Sequence, residues 1–379
     1  MNIERRLTAL AYTCLLMLGI QGGWIGPFLP EISRTLGVRV DDAGLIISAT
    51  AAGYFVALLV VGSMSHRMRA QQFLLVAMML YAAGFAGLAL APALVPMLAA
   101  SVVVGLGNGA IDVAANAAIV DLNQDRLAEA LNYLHVMFGL GAFLGPVIVA
   151  VALASTIGYW WIFGVGALLC ASLAAILATT PAAEVRMPAE SGAFIPLLAR
   201  PIIWIMAGVL FLYVGGESGV GAWLFLYLRK AAALAPAIAS SGVSLYWLGL
   251  IAGRLAGGRL AERIAAQKLT ILAGALSAGA LLGLILAPMS RVTAASMIFL
   301  IGFGYGPVFP NIVAIGAVRF PTQVGRMSSI IIAGGALGGV FVPWIMGHAI
   351  ATTSARASME FALAVTVLMA LLSATVRDA

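Results

Sequence analysis

Twelve stretches of the chain are apolar, almost free of charge, and about as long as the 20 residues of helix that cross a hydrocarbon core of about 30 Å. Strands of a membrane barrel are excluded because the runs are long, unbroken and without alternation. The sequence therefore predicts an all-α integral membrane protein with twelve transmembrane helices. The predicted spans are 8–29, 42–63, 72–91, 95–120, 131–154, 157–179, 202–228, 237–258, 268–288, 292–318, 326–350 and 357–376.

Composition agrees with this prediction and excludes several functions. The chain is 63% hydrophobic and 9% charged, whereas soluble domains have about 25% charged residues. The net charge of +6 is spread over short loops, so no nucleic-acid surface is expected. The sequence has no P-loop and no metalloprotease or hydrolase motif. We therefore expect no enzyme, catalytic residue, metal site or cofactor.

The distribution of basic residues predicts the orientation of the chain in the membrane. With the N-terminus inside, fourteen of the 20 Lys and Arg residues fall on the cytoplasmic side and the other six fall outside. The basic start precedes an apolar run without a small-residue cleavage site, which predicts an uncleaved first span. We expect a multi-pass protein of the cell (inner) membrane with both termini in the cytoplasm.

A polar stretch, TTPAAEVRMPAESGAF at 179–194, divides the twelve spans into six and six. The halves are related, because an offset of 197 residues pairs Gly105 with Gly302, Gly107 with Gly304, Gly109 with Gly306, Gly141 with Gly338 and Pro146 with Pro343. Duplicated halves around a midplane site are typical of transporters. The predicted domains are a six-helix bundle at 1–179, a cytoplasmic linker at 180–200 and a second six-helix bundle at 201–379.

The loops after the second and eighth spans resemble the signature of the major facilitator superfamily, roughly G-x-L-A-D-R-x-G-R-R. The second half has GRLAER from Gly258, and the first half has GSMSHRMR from Gly62, with His66 in place of the acid. The resemblance implies two pseudo-symmetric six-helix bundles and alternating access. It also implies a conformational role for four residues: Gly258, Glu262, Arg263 and Arg67.

A narrower resemblance, to the fucose permease branch of sugar–proton symporters, covers the fourth, fifth and tenth spans. The matching segments are DVAANAAIVDL from Asp112, LNYLHVMFGLGAFLGP from Leu131 and GFGYGPVFPNIVAIGA from Gly302. The resemblance implies proton-coupled uptake of a sugar-like solute and makes Asn132 a candidate substrate ligand. The branch has a second acid in the first span, whereas GPFLP at 26–30 contains none.

Asp112 is the residue that a membrane helix tolerates least. It lies about nine residues, or roughly 13 Å, from the cytoplasmic end of the fourth span, where an Asp costs about 2.5–3.5 kcal/mol. A carboxyl that loads and unloads a proton as water reaches it from alternate sides is what proton coupling requires. Asn108 and Asn116 share its face, one turn to either side, and would bind solute hydroxyls. The alternative is a neutral acid that hydrogen-bonds a neighbouring helix for packing.

Three more ionisable residues extend the candidate site. Glu217 lies near mid-depth in the seventh span, among glycines that would let the helix bend or break as in transporter gates. It is a candidate replacement for the missing acid, or else caps a helix break or pairs across the halves. His135 can exchange a proton near neutral pH, bind a solute, or pack against a backbone carbonyl. Arg254 is expected to join Arg259 and Glu262 in a cytoplasmic charge network.

The remaining candidates are polar or aromatic residues that suit a sugar ring. Gln21 and Trp24 lie three residues apart, so an amide and a stacking indole would face one solute, although Trp is equally common as an interfacial anchor. Tyr305 and Asn311 are the corresponding candidates in the tenth span. Packing is the alternative for both.

Together these residues predict a secondary active transporter that takes up a small polyhydroxylated solute with a proton by alternating access, although Na⁺ fits an acid at mid-depth as well. The alternative is a proton-coupled exporter of amphipathic drugs or metabolites. GAFLGP, from Gly141, resembles the G-x-x-x-G-P of proton-antiporting drug exporters but lacks the glycine pair that follows it; close helix packing also explains it. The expected partners are a small-molecule substrate and the lipid bilayer, with a monomer as the oligomeric state.

Overall fold

The computed structural model describes residues 3–64, 69–123, 127–181, 195–231, 233–286 and 290–376. Over these ranges it is all-α, as predicted, and contains no β-strand. The helices are α1 (Ile3–Gly22), α2 (Ile25–Leu36), α3 (Val40–Met64), α4 (Ala70–Leu90), α5 (Leu94–Leu122), α6 (Leu127–Ala154), α7 (Tyr159–Thr179), α8 (Ile195–Leu198), α9 (Pro201–Ala231), α10 (Pro236–Leu260), α11 (Ala266–Leu286), α12 (Arg291–Tyr305), α13 (Val308–Arg319), α14 (Val324–Thr352) and α15 (Ala355–Ser373).

Eleven spans in the described ranges are long and apolar enough to cross a membrane, or twelve when the bent pair α1–α2 counts as one. The predicted fold class is therefore confirmed. The short turn between the fifth and sixth spans is also present, with Thr156 at a positive φ of 56° between α6 and α7.

Two predicted spans are not single helices, and proline explains both breaks. The first span bends by 52° between α1 and α2. Pro27 has no N–H for the carbonyl of Gly23, four residues earlier, and its ring would collide with that carbonyl. The tenth span breaks at Gly306 and Pro307, between α12 and α13. There Pro310 has the same relation to Gly306.

Contacts between helices divide the chain into two compact units, residues 1–189 and 190–379. Most of the predicted linker at 180–200 lies outside the described residues, so the predicted domain boundaries stay predictions. In the first unit α1 packs on α6, α3 on α5 and α4 on α7. In the second unit α9 packs on α14, α10 on α12 and α11 on α15. The same pairing pattern therefore occurs in each half.

Glycines at the helix crossings repeat from half to half. A Cβ added to Gly105 would lie 2.0 Å from the carbonyl oxygen of Thr50, and one added to Gly302 would lie 2.0 Å from that of Tyr246. Backbones this close require glycine on one side of each crossing. The sequence repeat thus corresponds to repeated packing of α3 on α5 and of α10 on α12.

The seventh span differs from its prediction. Its glycines were expected to bend or break it, but α9 runs as one helix over 31 residues, from Pro201 to Ala231. The reason is that these glycines make room for neighbours. A Cβ at Gly215 would lie 2.5 Å from the side chain of Val342, and one at Gly219 would lie 2.4 Å from the sulfur of Met346.

Candidate functional site

The centre of the first half contains Asp112, about ten residues or 15 Å before the end of α5. Its carboxylate accepts a hydrogen bond from the hydroxyl of Tyr54 on α3 at 2.7 Å. The amide of Asn116 donates to the other carboxylate oxygen at 3.2 Å and to the Asp112 backbone carbonyl at 2.8 Å. Asp112 is half-buried. Two helices and two neutral donors therefore position it.

Small residues of α5 make the Tyr54 contact geometrically feasible. A Cβ at Gly109 would lie 2.9 Å from the carbonyl oxygen of Tyr54 and 2.6 Å from the Cβ of Ala57. Glycine therefore lets the α3 backbone approach α5 close to the turn that bears Asp112. The tyrosine hydroxyl then reaches the carboxylate.

A second group of polar side chains lies one turn away on the same helix. Tyr81 on α4 donates a hydrogen bond to the Asn108 carbonyl oxygen. The Asn108 amide in turn donates to the Gln21 side-chain oxygen on α1 at 3.3 Å. The structure therefore brings Gln21, Asn108, Asp112 and Asn116 into one polar cluster. Sequence reasoning missed Tyr54 and Tyr81, because the sequence does not state which neighbouring helices face α5.

No basic side chain in the described ranges forms an ion pair with Asp112. This sets Asp112 apart from the other intramembrane acid, Glu217. Within the same ranges, no group of three or more His, Cys, Asp and Glu side chains is close enough to hold a metal ion. The hydroxyl and amide around Asp112 offer hydrogen bonds, and its carboxylate is a group that can bind a proton.

Trp24 lies at the break between α1 and α2, and its ring is packed. The indole centroid is 5.5 Å from that of Phe85 and 6.0 Å from that of Phe163, and only 4% of the residue is exposed. The buried indole N–H has no hydrogen-bond partner among the described atoms. Stacking of a sugar on this ring is therefore disfavoured by the packing.

The second half contains a buried ion pair. Arg254 on α10 approaches Glu217 on α9, with 3.5 Å between Nη2 and Oε1. This corrects the expectation that Arg254 joins Arg259 and Glu262, both of which are exposed at the end of α10 and in the turn after it. The partner that the structure gives Glu217 in the described ranges thus lies in the same half.

Aromatic side chains surround this pair. The Tyr246 hydroxyl donates to the Glu217 backbone carbonyl at 3.0 Å. Tyr305 hydrogen-bonds Thr366 at 2.6 Å and packs 5.9 Å, centroid to centroid, from Tyr213. Tyr305 is thus packed within the half.

The other predicted site residues fall in different surroundings. Asn311 is buried in α13, and its amide nitrogen has no hydrogen-bond partner among the described atoms. His135 is an exposed residue of α6. Gly258, Glu262 and Arg263 are exposed at the end of α10 and in the following turn. The side chain of Asn132 and the whole of Arg67 lie outside the described residues. The roles of all these residues stay predictions.

Comparison with known proteins identifies the family. Residues 11–343 match the Major Facilitator Superfamily. The chain belongs to this superfamily. Membership makes it a multi-pass membrane transporter rather than an enzyme, which confirms the resemblance found in the loops.

Two curated relatives have names that concern sugars. The chain is 31% identical over 144 residues to sodium-dependent glucose transporter 1A of Mus musculus, covering 37% of this chain and 33% of the relative. It is 27% identical over 179 residues to a putative glucose/galactose transporter of Helicobacter pylori, covering 47% and 43%. The chain therefore spans less than half the length of these relatives.

Solved structures of the superfamily are similar over nearly the whole chain. The nucleoside transporter NupG has a TM-score of 0.83 at 11% identity, covering 99% of this chain and 100% of that chain. The D-xylose-proton symporter has 0.81 at 15%, covering 97% and 96%. The superfamily transporter FucP, in the outward conformation, has 0.69 at 17%, covering 98% and 99%. At these identities the likeness establishes the fold alone.

Proposed function

We propose that this superfamily member is a proton-coupled symporter of a small polyhydroxylated, sugar-like solute, and that Asp112 binds the coupled proton. The observation that supports this most is the setting of Asp112. It is a half-buried carboxyl inside α5, held by Tyr54 and Asn116 and by no cation in the described ranges. Intramembrane carboxyls are usually functional.

The geometry explains how such a carboxyl would couple a proton to transport. Without a fixed cation, an ionised Asp112 keeps its negative charge in a low-dielectric setting, and proton binding removes that charge. The donors on Tyr54 and Asn116 hold the ionised form while water reaches it. In the protonated form the centre of the half is neutral, so the conformational change of alternating access does not move an uncompensated charge through the hydrocarbon.

The same cluster offers ligands for hydroxyl groups. Gln21, Asn108 and Asn116 each have an amide, which both donates and accepts hydrogen bonds. Two of their bonds are long, from Asn108 to Gln21 at 3.3 Å and from Asn116 to the Asp112 carboxylate at 3.2 Å, and these two would exchange most readily for bonds to a solute. The names of the glucose and glucose/galactose relatives support the sugar-like class.

The test is uptake by the purified full chain in proteoliposomes, with an imposed proton or Na⁺ gradient and labelled D-glucose, D-galactose and D-xylose as probes. We expect the proton gradient to drive accumulation. Asp112→Asn should abolish accumulation but retain solute exchange at equal concentrations, because Asn keeps the hydrogen-bonding shape and cannot load a proton. Asp42→Asn, at the start of α3, is the matched control and should accumulate solute normally.

Three results would count against the proposal. Intact accumulation by Asp112→Asn removes Asp112 from the coupling step. Accumulation driven by Na⁺ alone replaces the proton with Na⁺, the ion named for the mouse relative. Proton-driven accumulation in the opposite direction would identify an exporter. The exporter-like GAFLGP segment has another explanation, since a Cβ at Gly141 would lie 2.2 Å from the Leu16 carbonyl oxygen of α1.

The proposed setting is the inner membrane, with both termini in the cytoplasm and the chain acting as a monomer. The excess of basic residues on one side of the predicted spans supports this orientation. Terminal reporter fusions that are active only in the cytoplasm test it.

A further inference from the structure

The Glu217–Arg254 pair has no part in the proposed proton step, and its geometry is weak for a structural ion pair. A strong Arg–carboxylate contact has two parallel bonds at about 2.7–2.9 Å. Here a single contact measures 3.5 Å between the heavy atoms. The Nε of Arg254 is buried without an acceptor, while 28% of its side chain is exposed. The guanidinium therefore has unused donors and an accessible edge.

Two other buried donors lie beside the pair. The Tyr213 hydroxyl, one turn before Glu217 on α9, interacts with both the Glu217 carboxylate and the Arg254 guanidinium, but it forms no hydrogen bond of ordinary geometry with a described atom. The buried Trp247 indole N–H has no hydrogen-bond partner among the described atoms. Its ring lies 3.2 Å from a Cβ added to Gly221, one turn after Glu217. Buried donors are normally satisfied, so an excess of donors around one carboxylate indicates a site for a ligand that brings acceptors.

The fold itself does not need a cation at this crossing. Gly109 packs on the carbonyl of Tyr54 in the first half, and Gly306 packs on that of Leu250 in the second. Tyr54 in the first half is therefore equivalent in position to Leu250 in the second. One turn further along each helix, Leu58 is equivalent to Arg254. The first half builds the corresponding crossing with leucine. Charged groups inside a membrane are costly, so Arg254 requires a reason other than packing.

We propose that Arg254 binds a carboxylate of the transported solute in place of Glu217, so that the solute class is a sugar acid rather than a neutral sugar. This rests on the proposed transport function and narrows its substrate. A planar guanidinium matches a carboxylate through two parallel hydrogen bonds. The Tyr213 hydroxyl and the Trp247 N–H are placed to donate to the solute's remaining oxygens.

The charges in this site balance with one proton. In the empty site, Glu217 neutralises Arg254. When a solute carboxylate takes that place, Glu217 binds one proton from solution, and the net charge of the site stays at zero. The titratable groups that face Glu217 in the described ranges are Tyr213 on α9, Arg254 and Tyr246 on α10, and Tyr305 on α12.

The test compares matched probe pairs, D-galacturonate with D-galactose and D-glucuronate with D-glucose, in exchange assays with the purified full chain in proteoliposomes. In the wild type, each acid should half-saturate exchange at about one tenth of the concentration of its neutral partner or less. Glu217→Gln should keep this preference, because the competing carboxylate is gone, and should bind the acid without taking up a proton. Arg259→Gln, at the exposed end of α10, is the matched control and should behave as wild type.

Arg254→Gln should lose the preference for acids. Because this variant leaves Glu217 buried without its cation and so risks misfolding, the double variant Glu217→Gln with Arg254→Gln is measured beside it. The double variant should exchange neutral sugars and show no preference for acids. Equal half-saturation by acid and neutral probes in the wild type, or a preference that survives in the double variant, overturns the proposal.

These outcomes are separate from those for Asp112. Proton-driven accumulation of neutral sugars without any preference for acids refutes the acid site and leaves the symport intact. A preference for acids that depends on Arg254, without accumulation on a proton gradient, supports the acid site and refutes the symport.

Discussion

Gly105→Ala is expected to destabilise the first half by forcing α3 away from α5. The added Cβ would lie 2.0 Å from the carbonyl oxygen of Thr50 and 2.9 Å from the Cα of Gly53, while ordinary contact begins at 3.4 Å. Both close atoms belong to the backbone, so no side-chain rotation relieves the overlap. The helices must separate by about 1 Å over this crossing, which is a typical case of overpacking.

The magnitude follows from two opposed effects. Overpacking costs about 1–3 kcal/mol, and Ala in place of Gly in a helix returns about 1 kcal/mol. The net loss is therefore about 0–2 kcal/mol, which for a unit of 189 residues lowers Tm by up to about 8 °C. Gly279→Ala is the matched control, because a Cβ there meets no atom within 4 Å and should leave Tm unchanged or raise it.

The assay is thermal unfolding of the purified variants in one detergent, with uptake measured in parallel. Gly105→Ala should also weaken transport, since the displaced α3 carries Tyr54 away from Asp112. Gly302→Ala should lower Tm in the same way, because its Cβ would lie 2.0 Å from the Tyr246 carbonyl oxygen. If Gly105→Ala and Gly279→Ala unfold at the same temperature, the close backbone approach inferred for α3 and α5 is wrong.

Two further changes test buried hydrogen bonds. Trp223→Phe removes the bond from the indole N–H to the Pro343 carbonyl at 2.8 Å and should cost about 0.5–1.5 kcal/mol, measured as a lower Tm, because a buried bond between α9 and α14 is lost. Gln71→Leu removes the bonds from its side-chain nitrogen to the carbonyls of Leu177 at 3.0 Å and Thr180 at 2.8 Å. Faster hydrogen exchange at the end of α7 should follow, while exchange in α11 should not change.

The sequence predicted the spans because the hydrocarbon core sets their length and composition. It missed two breaks, although Pro27 and Pro310 were visible, because neighbouring helices often keep a proline-containing span continuous. It predicted a bend or break at the glycines of α9, where the structure has one continuous helix. A glycine in a membrane helix serves either flexibility or close packing, and only the neighbours Val342 and Met346 decide between the two.

The candidate site was predictable only where its residues lie on a single helix. The spacing of Asn108, Asp112 and Asn116 fixes their common face, since helical periodicity is local. Their partners Tyr54 and Tyr81 come from other helices, and no local pattern specifies which helix faces α5. The partner of Glu217 was missed on the same grounds, because Arg254 lies 37 residues away in sequence and was assigned to the charges next to it.

The repeated crossings show where the two halves depart from their common plan. Each half has one ionisable centre that the other lacks. By the packing of the crossings, Tyr54 corresponds to Leu250 and Leu58 to Arg254. By the sequence repeat, Asp112 corresponds to Phe309. Among the described residues, the acid of the first half has no cation paired with it, and the acid of the second half has one. Duplication of the six-helix unit does not by itself explain either charged residue. In the other half, the position equivalent to Asp112 holds Phe309 and the position equivalent to Arg254 holds Leu58. Packing therefore does not explain these charges, and the two proposed tasks would: binding a proton at Asp112 and binding an anion at Arg254.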